Sequence, residues 1–416
     1  MTKKVFFLIR AYNDLDCRLS LINNFANQSQ YKVSIISIPT NNGINDFKHH
    51  EILGYLDNSN VHYQTIFDLN KRYIPNILFW IYSLFQPRKG IAGKISNKIK
   101  QKLFKIIVFI SYRSNYWFED IIKSFDKSII IIDEVVFQKN RSFFVDELIE
   151  HKDHFSIYSF ITGQDTYLNL WHDKDISIPF EKLPSLEIPL FVPSENDRRI
   201  NQKNFPDVKV ITVGNTRFDL PWVKKLSSLA KKDIKANDML KKTCEHKIIF
   251  MLSKIEYGVD LDNIIEIINE CAKINNSLVI LKPHTRGMTI DIWKDRLNSS
   301  VLDGSVYSSS VLIEWADTVL FTGSSIVFQA MILHKKVIFL KYCQKYETIF
   351  DKESSICLSQ NLQNTIDYVK KVSIDSIDSI GLDKFVKVHT QNGLSGGIVC
   401  KSVVNLIENM EGKNRA

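Results

Sequence analysis

Several signatures are missing from this 416-residue chain, and each omission removes a class of protein. No G-x-G-x-x-G follows the first apolar run. RAYNDLD, Arg10 to Asp16, stands there instead, which argues against a dinucleotide-dependent oxidoreductase. The six cysteines, Cys17, Cys244, Cys271, Cys343, Cys357 and Cys400, are scattered without a C-x-x-C. They read as buried free thiols of a reducing compartment rather than as disulfides or metal ligands. No run of Lys and Arg with interleaved aromatics resembles a nucleic-acid module, and no zinc-finger spacing occurs, so no nucleic-acid partner is expected. No His, Cys or carboxylate cluster stands out as a metal site. No internal repeat or low-complexity tract is present. Met1 to Leu8 holds two lysines and then VFFLI, which is too short for a signal core and suits a first strand. No segment reaches the apolar length of a membrane span. The expected location is the cytoplasm, with attachment to the inner face of the cytoplasmic membrane.

What is present points to two α/β domains. The length suits two domains of ordinary size, and 44% hydrophobic residues can fill two cores. The formal net charge of +8 favours an anionic partner, either a phosphorylated substrate or an anionic membrane. Strands are expected over Val5–Ile9, Tyr31–Ile38, Val61–Phe67, Ser128–Ile132 and Ser156–Thr162, with a helix through Arg18–Ala26 after the RAYNDLD loop. Their alternation with helical stretches predicts a parallel doubly wound sheet. Pro179 to Asn201 is richer in proline and charge and reads as the approach to a linker. Val208–Val213 is either the last strand of the first domain or the first of the second. A second doubly wound unit follows through Lys247–Leu252, Asp262–Ile274, Ser277–Leu281, Val319–Phe321 and Val337–Lys341. The expected division is 1–205, 206–395 and a last helix over 396–416 that packs back on the first domain.

The most informative stretch is Ala316 to Tyr346. It reads as strand, small-residue turn, helix and strand. The turn holds Thr322, Gly323, Ser324 and Ser325. Gly323 lets backbone approach a ligand closely. Ser324 or Ser325 is expected to cap the following helix, whose free N–H groups suit a phosphate. Upstream, LVILKPHTRG ends another apolar strand in Lys282, His284 and Arg286. Ligands of open α/β sheets bind beyond the carboxyl ends of the strands, so the two motifs predict one cleft for a phosphorylated donor. His284 would offset charge on the leaving nucleotide. A backbone-bonded loop histidine is the competing reading for His284, and an ordinary helix cap for the serines. VGNTRFD, Val213 to Asp219, adds Arg217, which either contacts substrate or pairs with Asp219 to fix the loop.

This set resembles the C-terminal half of GT-B glycosyltransferases that build bacterial surface polymers. The nearest likenesses are CDP-glycerol glycerophosphotransferases of teichoic acid synthesis and CMP-sugar transferases, for Kdo or sialic acid, of capsule and lipopolysaccharide. The resemblance rests on KPHTRG, the GSS turn and VGNTRFD, and spans Val208 to Phe350. Proline precedes His284 here rather than following it. Gln329 stands where those glycerophosphotransferases carry an acid four residues after the second serine. If that acid holds ribose hydroxyls, Gln329 does so as a neutral amide or another residue takes its place. The resemblance implies two Rossmann-like domains facing across a cleft and a sugar moved from a CMP- or CDP-type donor. The implied acceptor is a lipid-linked or oligosaccharide surface glycan. It implies no cofactor beyond the nucleotide-activated donor, and independence of metal. A CDP-polyol phosphotransferase, a UDP-sugar 2-epimerase and a non-catalytic scaffold remain open.

A general base is expected on the first domain, among Asp14, Asp16, Asp133 and Glu134, where a carboxylate at a strand end can take a hydroxyl proton. For Asp133 and Glu134, solvent exposure or helix capping is the competing reading. Asn76 to Lys105 is apolar and aromatic, then basic, with Arg88, Lys89, Lys94, Lys98, Lys100, Lys102 and Lys105 and no acid in the basic part. That pattern fits an interfacial amphipathic helix, or equally a core helix followed by a solvated basic one. The first reading predicts sedimentation with anionic but not neutral liposomes, each lysine near the surface contributing roughly 1 kcal/mol. Changing Lys94, Lys98 and Lys102 to Glu should abolish it. Binding indifferent to lipid charge, salt and these changes would leave the solvated helix.

Overall fold

A computed structural model describes residues 2–38, 54–56, 61–65, 68, 99, 102, 103, 106, 116–137, 143–168, 187–284, 293–371, 378–393 and 398–413. Asn76–Lys105 lies outside the described residues except for Ile99, Lys102 and Leu103. Among the described residues no helix is long and apolar enough to cross a membrane.

Among the described residues the strands form two all-parallel sheets, as the alternation of strands and helices requires. The first holds β1 (Lys3–Ile9), β2 (Tyr31–Ser37), β3 (His62–Thr65), β4 (Ile129–Asp133), β5 (Ser156–Phe160), β6 (Leu190–Val192) and β7 (Val210–Thr212), in the order β3-β2-β1-β4-β5-β6-β7. The second holds β8 (His246–Met251), β9 (Ser277–Lys282), β10 (Leu302–Asp303), β11 (Thr318–Phe321), β12 (Lys336–Leu340) and β13 (Cys357–Ser359), in the order β10-β9-β8-β11-β12-β13. Each sheet is covered on both faces, with one apolar cluster per face. Two-sided cover explains why β4 reads IIIID with every residue buried, a continuous rather than alternating run. The architecture is the two-domain α/β fold of GT-B type.

The structure corrects several local expectations. The first helix begins at Tyr12, not Arg18, and runs Tyr12–Ala26, so RAYNDLD is mostly helical. Asp14 makes the early start possible, because its carboxylate accepts from the N–H groups of Arg10 and Ala11 at 3.1 and 2.9 Å. The Pro-rich stretch is not a linker where it is described. It supplies β6 and the helix Glu195–Asn204, capped by Ser194. β7 then pairs with β6, so of the two readings of Val208–Val213 the structure takes the one that adds a last strand to the first sheet.

The crossing is made by VGNTRFD, and the chain returns beside it. Asn215 N–H donates to the carbonyl of Thr390 at 2.6 Å, and Cys400 N–H donates to the Asp219 carboxylate at 3.1 Å. Thr216 Oγ1 donates to the Cys17 carbonyl of the first helix at 3.0 Å. The final helix, Val399–Lys413, lays Val399, Val403, Val404 and Ile407 into an apolar cluster of the first sheet. Its Glu411 pairs with Lys3 and accepts from Tyr158. The helix Leu220–Ala236 spans the join, with Trp222 and Leu226 packed on the first domain and Ala230 on the second.

Gly214 sits at the centre of this junction with φ +89°, and a Cβ there would lie 3.0 Å from Val399 Cγ1 and 3.1 Å from the Thr390 carbonyl. Gly214→Ala should therefore cost about 1–3 kcal/mol of stability, from left-handed backbone and crowding together. Chemical denaturation measures it. A variant as stable as the parent would show that the junction has slack.

Candidate functional site

The carboxyl ends of both sheets open on one cavity of about 830 Å³. Segments following β1, β4 and β5 form one wall, and those following β8, β9, β10 and β11 form the other. This is where open α/β sheets place ligands.

Of the residues expected on the second-domain wall, Lys282, His284, Gly323, Ser324 and Ser325 line the cavity. Arg286 lies outside the described residues. Gly323 turns with φ +50°. The caps expected from Ser324 and Ser325 are not made. Ile326 holds the cap position of the helix Val327–Ile332, with no side-chain cap bond. The serines instead give backbone, their carbonyls accepting from Val327 and Phe328 at 3.3 and 3.2 Å. Both hydroxyls are partly exposed at the cavity.

Lys282 is placed at the cavity but committed elsewhere. Its ammonium donates to the carbonyls of Gly304, Ser305 and Tyr307 at 3.1, 3.4 and 2.5 Å. Three donors meet three acceptors, so Lys282 shapes the Gly304–Tyr307 loop rather than offering a free charge. Burial lowers its pKa, against a weaker pull from Asp303. Thr322 and Gln329 do not line the cavity. Thr322 Oγ1 is buried and accepts from Ser253 N–H at 3.1 Å. Gln329 is 2% exposed, and its Oε1 accepts from Ser310 at 3.2 Å.

On the first-domain wall, Glu134 and Asp16 line the cavity. Glu134 is aimed by Thr162 N–H, which donates to it at 2.9 Å. Asp16 forms an ion pair with Arg217, so Arg217 joins the cleft through the first helix and does not pair with Asp219. Asp14 and Asp133 are buried behind the wall. Asp14 accepts from Thr162 Oγ1 at 2.9 Å in addition to its two helix-start N–H groups. Asp133 is 0% exposed and takes Arg10, whose Nε donates at 2.7 Å. Burial and the neighbouring Asp14 push Asp133 up from the ordinary carboxylate range, against the pull of Arg10. Neither buried acid reaches the cavity surface as its neighbour does: Asp133 ends a strand, where successive side chains take opposite faces, and Asp14 and Asp16, two apart in a helix, point to nearly opposite sides of it.

Sequence reasoning missed four features of this site. Lys254 follows β8 and lines the cavity, its ammonium 5.1 Å from the Tyr257 ring centroid. A lysine three residues past the end of an apolar strand was the available signal. Ser305, Ser308, Ser309 and Ser310 extend the hydroxyl surface, with Ser308 also capping its helix. Asp165, in the loop after β5, lines the cavity and receives Tyr167 N–H at 2.9 Å. Tyr167 crosses from that loop to the opposite wall. Among the described residues no group of His, Cys, Asp or Glu is arranged to hold a metal.

No family model matches this chain, and no curated protein matches it in sequence. Solved structures share its fold. The UDP-GlcNAc 2-epimerase of Methanocaldococcus jannaschii aligns with TM-score 0.57 at 13% identity, over 98% of this chain and 100% of that one. The UDP-GlcNAc 2-epimerase of Neisseria meningitidis, bound to UDP-GlcNAc, aligns with TM-score 0.56 at 17% identity over the same shares. The wall teichoic acid polymerase TagF, soaked with CDPG, aligns with TM-score 0.51 at 11% identity, over 99% of this chain and 89% of that one.

Asp165 on the first-domain wall and the buried Asp197 behind it predict a pH dependence of stability. Burial, then the charge of Asp197, push Asp165 up to about 8. Burial pushes Asp197 up to about 6, against the Ser194 hydroxyl and nearby N–H groups. A carboxyl whose folded pKa exceeds its unfolded value favours the folded state at low pH and loses that advantage as pH rises. Stability should thus fall between about pH 4 and pH 8 through these groups. Asp165→Asn mimics the protonated acid and should flatten the upper part of the decline. Thermal unfolding at pH 6 and pH 8.5 checks this, and an unchanged slope would clear Asp165.

Proposed function

We propose that the protein is a glycosyltransferase that moves a sugar from a CMP- or CDP-type nucleotide donor to a growing surface glycan, such as capsule or lipopolysaccharide. One observation carries the reading: a single cavity holds chemically opposed walls. Hydroxyls, His284 and Lys254 face it from the second domain, and Glu134 and Asp165 face it from the first. Hydroxyls and cations suit the donor phosphate. The Glu134 carboxylate suits an acceptor hydroxyl that must lose a proton. The cavity volume of about 830 Å³ accommodates a ligand of nucleotide-sugar size.

In this reading Glu134, held by Thr162 N–H, takes the acceptor proton. The acceptor oxygen bonds the anomeric carbon as the bond to the leaving phosphate breaks. The departing charge is met by Ser324, Ser325, His284 and Lys254, fixed dipoles and donors that need little reorganisation. Asp133 and Asp14 act behind the wall. Asp133 holds Arg10, and Asp14 holds the Thr162 hydroxyl and the helix start. The Asp16–Arg217 pair borders the cleft at the domain crossing.

A second reading, a UDP-sugar 2-epimerase, is favoured by epimerase neighbours aligned over their whole length. The likeness to TagF favours transfer of a polyol phosphate from a CDP-polyol in the same way. Calorimetric titration with CMP, CDP and UDP separates them by the base preferred, and UDP-sugar turnover without acceptor would mark an epimerase.

His284→Ala, and Ser324→Ala with Ser325→Ala, should weaken nucleotide binding by about 1.5–3 kcal/mol per lost charge-assisted hydrogen bond. Glu134→Gln should lower turnover roughly 10²–10⁴-fold while leaving donor affinity near normal. Full activity in a folded Glu134→Gln enzyme would remove it as the base, and unaltered affinity in His284→Ala would remove that residue from the donor site.

A further inference from the structure

The loop after β5 belongs to the first domain by sequence, yet it is built into the opposite wall. Thr166 Oγ1 donates to the Gly323 carbonyl at 2.5 Å. Tyr167 Oη donates to Ser253 Oγ at 2.9 Å, and Ser253 Oγ lies 3.1 Å from Thr322 Oγ1. The backbone joins in. Leu168 N–H donates to the Glu347 carbonyl, and Ile349 N–H to the Thr166 carbonyl, both at 2.9 Å. The Tyr167 ring also meets Tyr257 edge-on, with centroids 5.5 Å apart.

Gly323 shows how tightly this loop is seated. A Cβ on Gly323 would stand 2.5 Å from Tyr167 Oη and 2.7 Å from its Cζ. The glycine is thus required twice, by its left-handed φ and by the tyrosine above it. The loop is itself fixed from below. Asp165 accepts Tyr167 N–H, Asp197 accepts Asp165 N–H at 2.8 Å, and Gln164 donates to the His389 carbonyl at 2.7 Å.

We infer that Tyr167 is a positioning residue that holds the Thr322–Ser325 turn in its ligand-ready shape, so that the donor site is completed by a residue of the first domain. The Tyr167–Ser253–Thr322 chain of hydroxyls ties the ends of β8 and β11 together at the point where the two partly exposed serines emerge. The inference rests on the reading of that turn as the donor phosphate site, and it adds that the two walls are coupled through one side chain.

The experiment uses the full chain in four variants: Tyr167→Phe, Tyr167→Ala, Gly323→Ala and the double Tyr167→Ala with Gly323→Ala. Two readouts are taken, amide hydrogen exchange without ligand and calorimetric titration with CMP, CDP and UDP. Tyr167→Phe keeps the ring and loses only the hydroxyl. It should speed exchange in 321–328, leave β13 unchanged, and weaken nucleotide binding roughly five- to tenfold at nearly unchanged melting temperature. Gly323→Ala should weaken binding more in the parent than in the Tyr167→Ala background, because the clash needs the ring. Unaltered exchange in Tyr167→Phe, or additive losses in the double variant, would overturn the positioning role. Ser324→Ala with Ser325→Ala keeps the two ideas apart. If that variant binds nucleotide normally, the donor-site reading fails, and the exchange result still decides the role of Tyr167.

Discussion

Everything at the site depends on the junction where the chain passes between its sheets and comes back. Parallel sheets place their loops in two sets, one at each end of the strands, and only the carboxyl-end set is useful for a ligand. For two such sets to face each other, the crossing and the return must be held side by side. Asn215 bonded to Thr390, Asp219 bonded to Cys400, and Thr216 bonded to Cys17 achieve this with buried hydrogen bonds. Buried polar groups tolerate little displacement, since each loses its partner when it moves. The final helix then closes the arrangement by burying an apolar stripe on the first domain.

The walls set by that junction differ in charge. The first domain collects acids at its strand ends, several of them away from water, with Asp133 and Asp165 both pushed up by burial. Holding such groups costs stability as pH rises, and a fold keeps them where they serve chemistry or fix a loop. The second domain contributes hydroxyls and backbone instead, with the Lys282 ammonium spent on three carbonyls of a cavity loop. Lys254, a partly exposed cation that lines the cavity, comes from a position that carries no motif.

The legible part of the site was local. KPHTRG and the GSS turn stand after apolar strands, and a short apolar run ending in polar residues places those residues at a strand end wherever the sheet lies. The same reasoning reached Glu134 and Asp133 together and could not separate them. They are chain neighbours, yet Glu134 lines the cavity and Asp133 is sealed against Arg10. Arg217 shows a further limit. Its nearest acid in sequence, Asp219, is occupied by Cys400, and its partner Asp16 comes from the first helix. The proline-rich stretch hid β6 because a three-residue strand is too short to show a period.

By itself the sequence determined the α/β class, the doubly wound alternation in both halves and the small-residue turn after β11, since each follows from periodicity or from the chemistry of a few adjacent residues. Tertiary structure alone decided which acids meet the cavity, where the first sheet ends, and that Tyr167 covers Gly323. Those outcomes are contacts between residues far apart in the chain, Thr166 and Gly323 among them. A local pattern reports which face a side chain takes. The partner on that face is set by how two independently formed sheets are oriented, and that orientation is a property of the assembled junction.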